Sequence, residues 1–134
     1  MKIQLVVDKK TEKIICTEFF NGKAHDGTIY KTTLSVLERI LVLADSGYRG
    51  IQKVHANVKY PLKHKEDIKN LSAEQLKEQR SRNRQISSER MKIEHIIGRT
   101  KRFNIARNTY RNRRKKFALR YNLICGIINY ENVA

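Results

Sequence analysis

The stretch ILVLADSGYRG, Ile40 to Gly50, runs five apolar residues straight into an acid and then into a turn flanked by glycines. A short unbroken apolar run bounded by turn formers is the pattern of a strand buried on both faces, as in a parallel sheet. Asp45 stands at the carboxyl end of that strand, and in open α/β sheets such ends are where sites assemble. The fold class read from this stretch is α/β. Asp45 has a second reading, as a strand-end acid that caps the following turn, and at this point both stand.

Toward the N-terminus, KIQLVV and KIICTEFF are β-rich runs separated by the polar DKKTEK, which predicts an antiparallel hairpin. NGKAHDG reads as a loop that holds His25 and Asp26, and TIYKTTLSVLERI brings Ile29, Leu34, Leu37 and Ile40 to helical spacings. Beyond the apolar run, SGYRGIQKVH predicts a turn and a short helix, and VKYPLK a brief edge strand, where Pro61 is tolerated. Residues 66–85 are almost wholly polar, with Ser72 and Gln75 at capping-box spacing, and read as an exposed helical insertion. From Ile86 a helical period returns through Met91, Ile93, Ile96 and Ile97. It breaks near FNIARNTY, after which a last helix carries Phe117, Tyr121, Ile124 and Ile128 on one stripe.

A chain of 134 residues, 40% hydrophobic, fits one domain with one modest core. Its 29 Lys and Arg against 13 Asp and Glu give a formal charge of +16, so a polyanion is the expected partner. Nucleic acid is favoured over a membrane, because no apolar run approaches the roughly 18 residues that a span needs. MKIQLVVDKK is too short and wrongly flanked for a signal peptide, so a cytoplasmic, nucleoid-associated chain is predicted. Cys16 and Cys125 lack metal-ligand spacing and read as buried thiols. Between Arg99 and Arg120 lie Arg99, Lys101, Arg102, Arg107, Arg111, Arg113, Arg114, Lys115, Lys116 and Arg120, with no acid among them. Phe103, Tyr110, Phe117 and Tyr121 interleave with these cations. Phe117 and Tyr121 read as core, and the cations as outward groups that bind phosphates without reading sequence.

Glu94 is the acid embedded in SSERMKIEHIIGRTKRF, with no further acid until Glu131. Helical geometry puts Arg90, Glu94 and Lys101 on one stripe, which is either a surface ion-pair ladder or a functional carboxylate near a buried side. Metal chemistry would unite it with Asp45: Mg²⁺ takes oxygen ligands, and a two-ion site stabilises both the attacking and the leaving oxygen in phosphoryl transfer.

LADSGYRG, RMKIEHIIGRTKRF and YRNRRKKFALRYNLICGIINYE resemble the C-terminal part of bacterial insertion-sequence DDE transposases, and the resemblance runs over nearly the whole chain. It implies an RNase H-like nuclease domain with an Asp, Asp, Glu triad and two Mg²⁺ ions. Asp45 matches the second acid and Glu94 the third, both as catalytic and metal-ligating groups. The family spacing Y-x(2)-R-x(3)-E-x(6)-K is met by Arg90, Glu94 and Lys101, with Ser87 where the family has Tyr. The resemblance implies that Arg90 and Lys101 hold DNA near the cut; Arg99, Arg102, Arg113, Arg114, Lys115 and Lys116 are the further DNA-binding candidates.

The same resemblance places the first Asp on a strand before MKIQLVV, with the DNA-recognition region also outside this chain. In the family's strand order, 3-2-1-4-5, the hairpin would supply strands 2 and 3, ILVLAD strand 4 and VKYPLK strand 5. The expectation is therefore an incomplete RNase H-like α/β fold over residues 1–134 that lacks its central first strand. Residues 66–85 form the polar insertion and 99–130 the basic C-terminal helical region. Strands 2 and 4 then either pair directly or leave a gap for another polypeptide. Double-stranded DNA is the implied partner, with an upstream reading-frame product and a second copy of the chain as others. A catalytic portion inactive alone, a decayed remnant, and a nucleic-acid-binding protein without chemistry are the three functional readings.

Overall fold

In the computed structural model, which describes residues 2–20, 22–33, 39–63, 65–107 and 116–133, the N-terminal β-rich runs form the expected hairpin. Strand β1, Lys2–Val7, pairs antiparallel with β2, Ile14–Phe20, in a register that sets Lys2 opposite Phe20 and Leu5 opposite Thr17. Asp8 organises the turn: its carboxylate accepts from Lys10 N at 2.9 Å and from Thr11 Oγ1 at 3.0 Å. Glu12 closes that turn at φ 58°, with its amide donating to the Asp8 carbonyl at 2.8 Å.

The chain divides into two compact units, Met1–Gly22 with Met91–Ala134, and Lys23–Arg90. In the first, helix α5, Phe117–Glu131, lays Phe117, Tyr121, Ile124, Cys125 and Ile128 against the hairpin. This is the stripe read from the sequence. Phe19 of β2 meets Phe117 and Tyr121 edge to face, with ring centroids 5.8 and 5.7 Å away. Asn129 pairs with Ile14 as another strand would, accepting from its N–H at 2.8 Å and donating to its carbonyl at 2.9 Å. Ile96 joins the same core, as do the half-buried Phe103 and Ile105. Cys125 is buried as expected, and burial pushes its thiol up to about 11, but Cys16 is only half-buried. The other side of α5 exposes Leu119 and Leu123, so this helix is apolar well beyond its core stripe.

In the second unit, α1 spans Asp26–Thr33, β3 Val42–Leu43, β4 Val58–Lys59 and α2 Lys65–Ile68. β3 and β4 run parallel, with Val42 opposite Val58 and Leu43 opposite Lys59. Tyr30, Ala44 and Ile51 form a small core, and the rings of Tyr30 and Tyr48 meet edge to face at 6.5 Å. His55 is buried and donates from Nε2 to the Ile40 carbonyl at 2.8 Å.

Three expectations need correction. The apolar run is not a strand buried on both faces: β3 is two residues long, Val42 and Leu43 are half-buried, and Ile40 and Leu41 are exposed. The reason is that β3 has one neighbour, in a two-stranded sheet separate from the hairpin, so nothing pairs along its other edge and strands 2 and 4 of the expected order do not meet. Helix α1 starts at Asp26, earlier than expected, and Ile40 lies in an exposed bend; Leu34 and Leu37 fall outside the described residues. The polar stretch and the segment from Ile86 are not separate helices. Helix α3 is a single run of 28 residues, Ala73–Thr100, followed by the short α4, Asn104–Arg107.

The capping box at the start of α3 forms as read: Ser72 N donates to Gln75 Oε1 at 3.0 Å and Gln75 N to Ser72 Oγ at 3.3 Å. Asn83, midway along α3, accepts from Leu62 N at 3.1 Å and donates to Leu62 O at 2.9 Å, which ties down the segment after Pro61. The observed architecture is a mixed α/β fold with two small sheets and several helices. Among the described residues no helix is long and apolar enough to cross a membrane.

Candidate active site

Asp45 follows β3 by two residues and takes an extended backbone, φ −80° and ψ 164°, which turns the chain into a 3₁₀ turn over Ser46–Tyr48. Its Oδ1 accepts from Ser46 N at 2.6 Å and Ser46 Oγ at 3.2 Å. Asp45 is therefore a turn cap, as its second reading has it. It is also more than that: Arg90 Nη1 lies 3.6 Å from the same Oδ1, with the Arg90 side chain 17% exposed and that of Asp45 53%. A largely buried guanidinium beside a half-open carboxylate fixes the direction of the acid and leaves it reachable from solvent.

Two residues that the sequence reading passed over shape this turn. A Cβ built on Gly47 would fall 2.8 Å from Asp26 Oδ2, so the close approach of α1 to the turn requires glycine there or a displaced Asp26. Tyr48 packs beside them, and burial pushes its hydroxyl up to about 12, with the charges of Asp26 and Asp45 adding to the rise and Arg90 opposing it. His25 and Asp26 had read only as loop. Gly50, at φ 90°, then starts the second 3₁₀ turn, Ile51–Lys53. Arg49 between the two turns spans Glu66 at 3.2 Å and Asp67 at 2.8 Å on α2.

Arg90 and Glu94 lie one turn apart on α3, whose two ends belong to different units. Glu94 is exposed, Ile93 and Ile97 are half-buried and Ile96 is buried. The surface ladder does not form among the described residues: Arg90 pairs with Asp45, and no described cation pairs with Glu94. Lys101 is exposed just past the end of α3, held by its amide on the Ile97 carbonyl at 3.2 Å. Ser87 is half-buried within the helix.

The basic region divides. Arg113, Arg114 and Lys115 lie outside the described residues, and Lys116 is exposed at the start of α5. Arg99 and Arg102 both meet Glu131, at 2.8 and 2.7 Å. That convergence crosses roughly a third of the chain, and no local spacing signals it. Among the described residues no group of three or more His, Cys, Asp and Glu is arranged to hold a metal ion. Asp45 Oδ1 is already engaged by Arg90 and Ser46, so these residues by themselves do not fit a divalent-ion centre.

The family described as DDE superfamily endonuclease matches residues 1–129. A probable transposase for the insertion sequence element IS702, from Microchaete diplosiphon, is 44% identical over 132 residues, which cover 98% of this chain and 46% of that protein. The chain thus spans about half the length of the curated relative it matches. No solved structure matches it significantly. With the match running from the hairpin almost to the end of α5, and through both Asp45 and Glu94, the chain belongs to the DDE superfamily endonucleases.

Proposed function

We propose that this chain is the C-terminal portion of a DDE transposase that cuts and transfers DNA strands, with an incomplete RNase H-like fold. Asp45 serves as the second acid and Glu94 as the third. The observation that carries this reading is the ion pair between Asp45 and Arg90, which braces the acid-bearing turn on the helix that continues to Glu94. Arg90, Glu94 and Lys101 keep the family spacing on and just beyond α3. The described residues do not complete a metal centre, in keeping with a third acid supplied from a segment outside this chain. That segment also carries the central strand and the DNA-recognition region.

The chain's own residues then have separable roles. Arg90 holds Asp45 in place, the Gly47 turn seats against Asp26, and the cations after Glu94 bind phosphates of double-stranded DNA without regard to sequence. The test is nicking of a labelled duplex in Mg²⁺ by the 134-residue chain, by a chain extended upstream with a strand carrying an Asp, and by extended chains with Asp45→Asn or Glu94→Gln. Only the unsubstituted extended chain should cut. Nicking by the short chain that survives both substitutions would refute the assignment. Silence from every chain, with duplex binding retained, would favour the second reading, a nucleic-acid-binding remnant without catalysis.

A further inference from the structure

We propose that Arg99 and Arg102 form a seat for one backbone phosphate of duplex DNA, and that Glu131 is the resident anion which the phosphate displaces. The inference rests on the reading above that the chain binds DNA, and adds to it where one phosphate sits and what occupies that place beforehand. Arg99 lies in the last turn of α3, and Arg102 follows in the turn beyond it. Their Nη2 groups donate to the same oxygen, Glu131 Oε2, at 2.8 and 2.7 Å. Two guanidiniums on one oxygen is an arrangement that a non-bridging phosphate oxygen also accepts, and guanidinium donors suit phosphate as well as carboxylate. One positive charge remains uncompensated after Glu131 has been counted.

The arginines are held in place independently of Glu131. Arg102 Nε donates to the Arg99 carbonyl at 3.3 Å, and Arg99 Nη1 donates to the side chain of Asn132. Asn132 in turn donates to the Glu12 carbonyl at 3.0 Å, anchoring this corner to the hairpin turn. Glu131, by contrast, is the last residue of α5, and its side chain is 39% exposed, so it can turn away without opening the core. The hydrogen bonds from Arg99 and then Arg102 hold its carboxyl below the ordinary value, so at neutral pH it is charged and leaves by exchange with another anion. Ion pairs between exposed groups are weak, whereas a DNA phosphate gains from counterion release, so the exchange runs toward DNA at low salt.

The experiment measures duplex affinity of the full chain across a range of salt concentrations. It compares Glu131→Gln with Glu74→Gln, an exposed acid in the first turn of α3 whose loss changes the net charge equally. Glu131→Gln should bind on the order of fivefold more tightly than Glu74→Gln, and replacing Arg99 and Arg102 together with Gln should flatten the salt slope by about 0.9. Equal affinities for the two acid variants would overturn the seat while leaving DNA binding intact. Absence of duplex binding by the unsubstituted chain would instead refute the DNA-binding reading, and the seat with it. Should Glu131→Gln fail to fold, the guanidinium NMR signals of Arg99 and Arg102 in the unsubstituted chain decide the matter. Both should shift when duplex is added, and signals that stay in place would overturn the proposal.

Discussion

The unit of the hairpin and α5 is secured by its own side chains, whereas the unit around Asp45 carries its acid on a ladder of two residue pairs. In the first, buried Ile96, Phe117, Ile124 and Ile128 interlock with Phe19 and with both backbone groups of Ile14. In the second, the core is Tyr30, Ala44 and Ile51, and much of the remaining order comes from polar anchors such as Ser46 on Asp45, His55 on Ile40 and Asn83 on Leu62. Apolar burial is the larger stabilising term. The difference teaches that the region bearing the proposed chemistry leans on few contacts of its own and is the one left to be completed.

Core truncation should separate the two units most sharply. Ile128→Ala, at a position with no solvent exposure, is expected to cost about 2–5 kcal/mol in a urea titration. Ile51→Ala, equally buried, sits in a smaller core that can close around the loss, so its cost should fall at or below about 2 kcal/mol. An Ile51 variant as damaging as the Ile128 one would break the comparison. Next in size is Asn129→Ala, which strands the N–H and C=O of Ile14 and should cost about 1–3 kcal/mol, with faster amide exchange at Ile14 itself.

A smaller effect is expected at Gly50. Its φ of 90° is unfavourable for a side chain, yet no atom lies within 4 Å of the Cβ that alanine would add. Gly50→Ala should therefore cost only the conformational term, about 1–2 kcal/mol by thermal denaturation. The smallest effect concerns pH and belongs to the hairpin and α5 unit. Glu131 has its folded value lowered by Arg99 and Arg102, so its contribution is full above the unfolded carboxyl value and is lost as pH falls through the folded one. The melting-temperature gap between the unsubstituted chain and Glu131→Gln should be present at neutral pH and close in acid. A gap independent of pH would place the role of Glu131 elsewhere.

Features written in local spacing were legible in the sequence: the hairpin, the capping box of Ser72 with Gln75, and the α5 stripe from Phe117 to Ile128 each follow from neighbours a few residues apart. Asp45 was legible as a candidate from its place after an apolar run, and so was its second role as a turn cap. What escaped depends on long-range encounters. Asp26 seated against Gly47, and Glu131 drawing in Arg99 and Arg102, are set by packing that no periodicity encodes. The apolar run itself misled because its composition suits a strand between two neighbours, while β3 has one. The polar segment before Ile86 misled in the opposite sense. Lacking an apolar face, it read as an insertion, although good helix formers and a proper cap carry α3 straight through it.

Amide hydrogen exchange along β3 tests the proposed completion of the sheet most directly. Val42 and Ala44 donate to Asn57 and Lys59 at 3.0 and 2.9 Å, so the amides of Leu43 and Asp45 alternate onto the opposite edge, where a central strand would pair. In the 134-residue chain, Leu43 and Asp45 should exchange faster than Val42 and Ala44, and in the chain extended with the upstream strand all four should be protected. Leu43 and Asp45 amides already as protected as their neighbours in the short chain, or unchanged by the extension, would contradict a sheet that awaits its central strand.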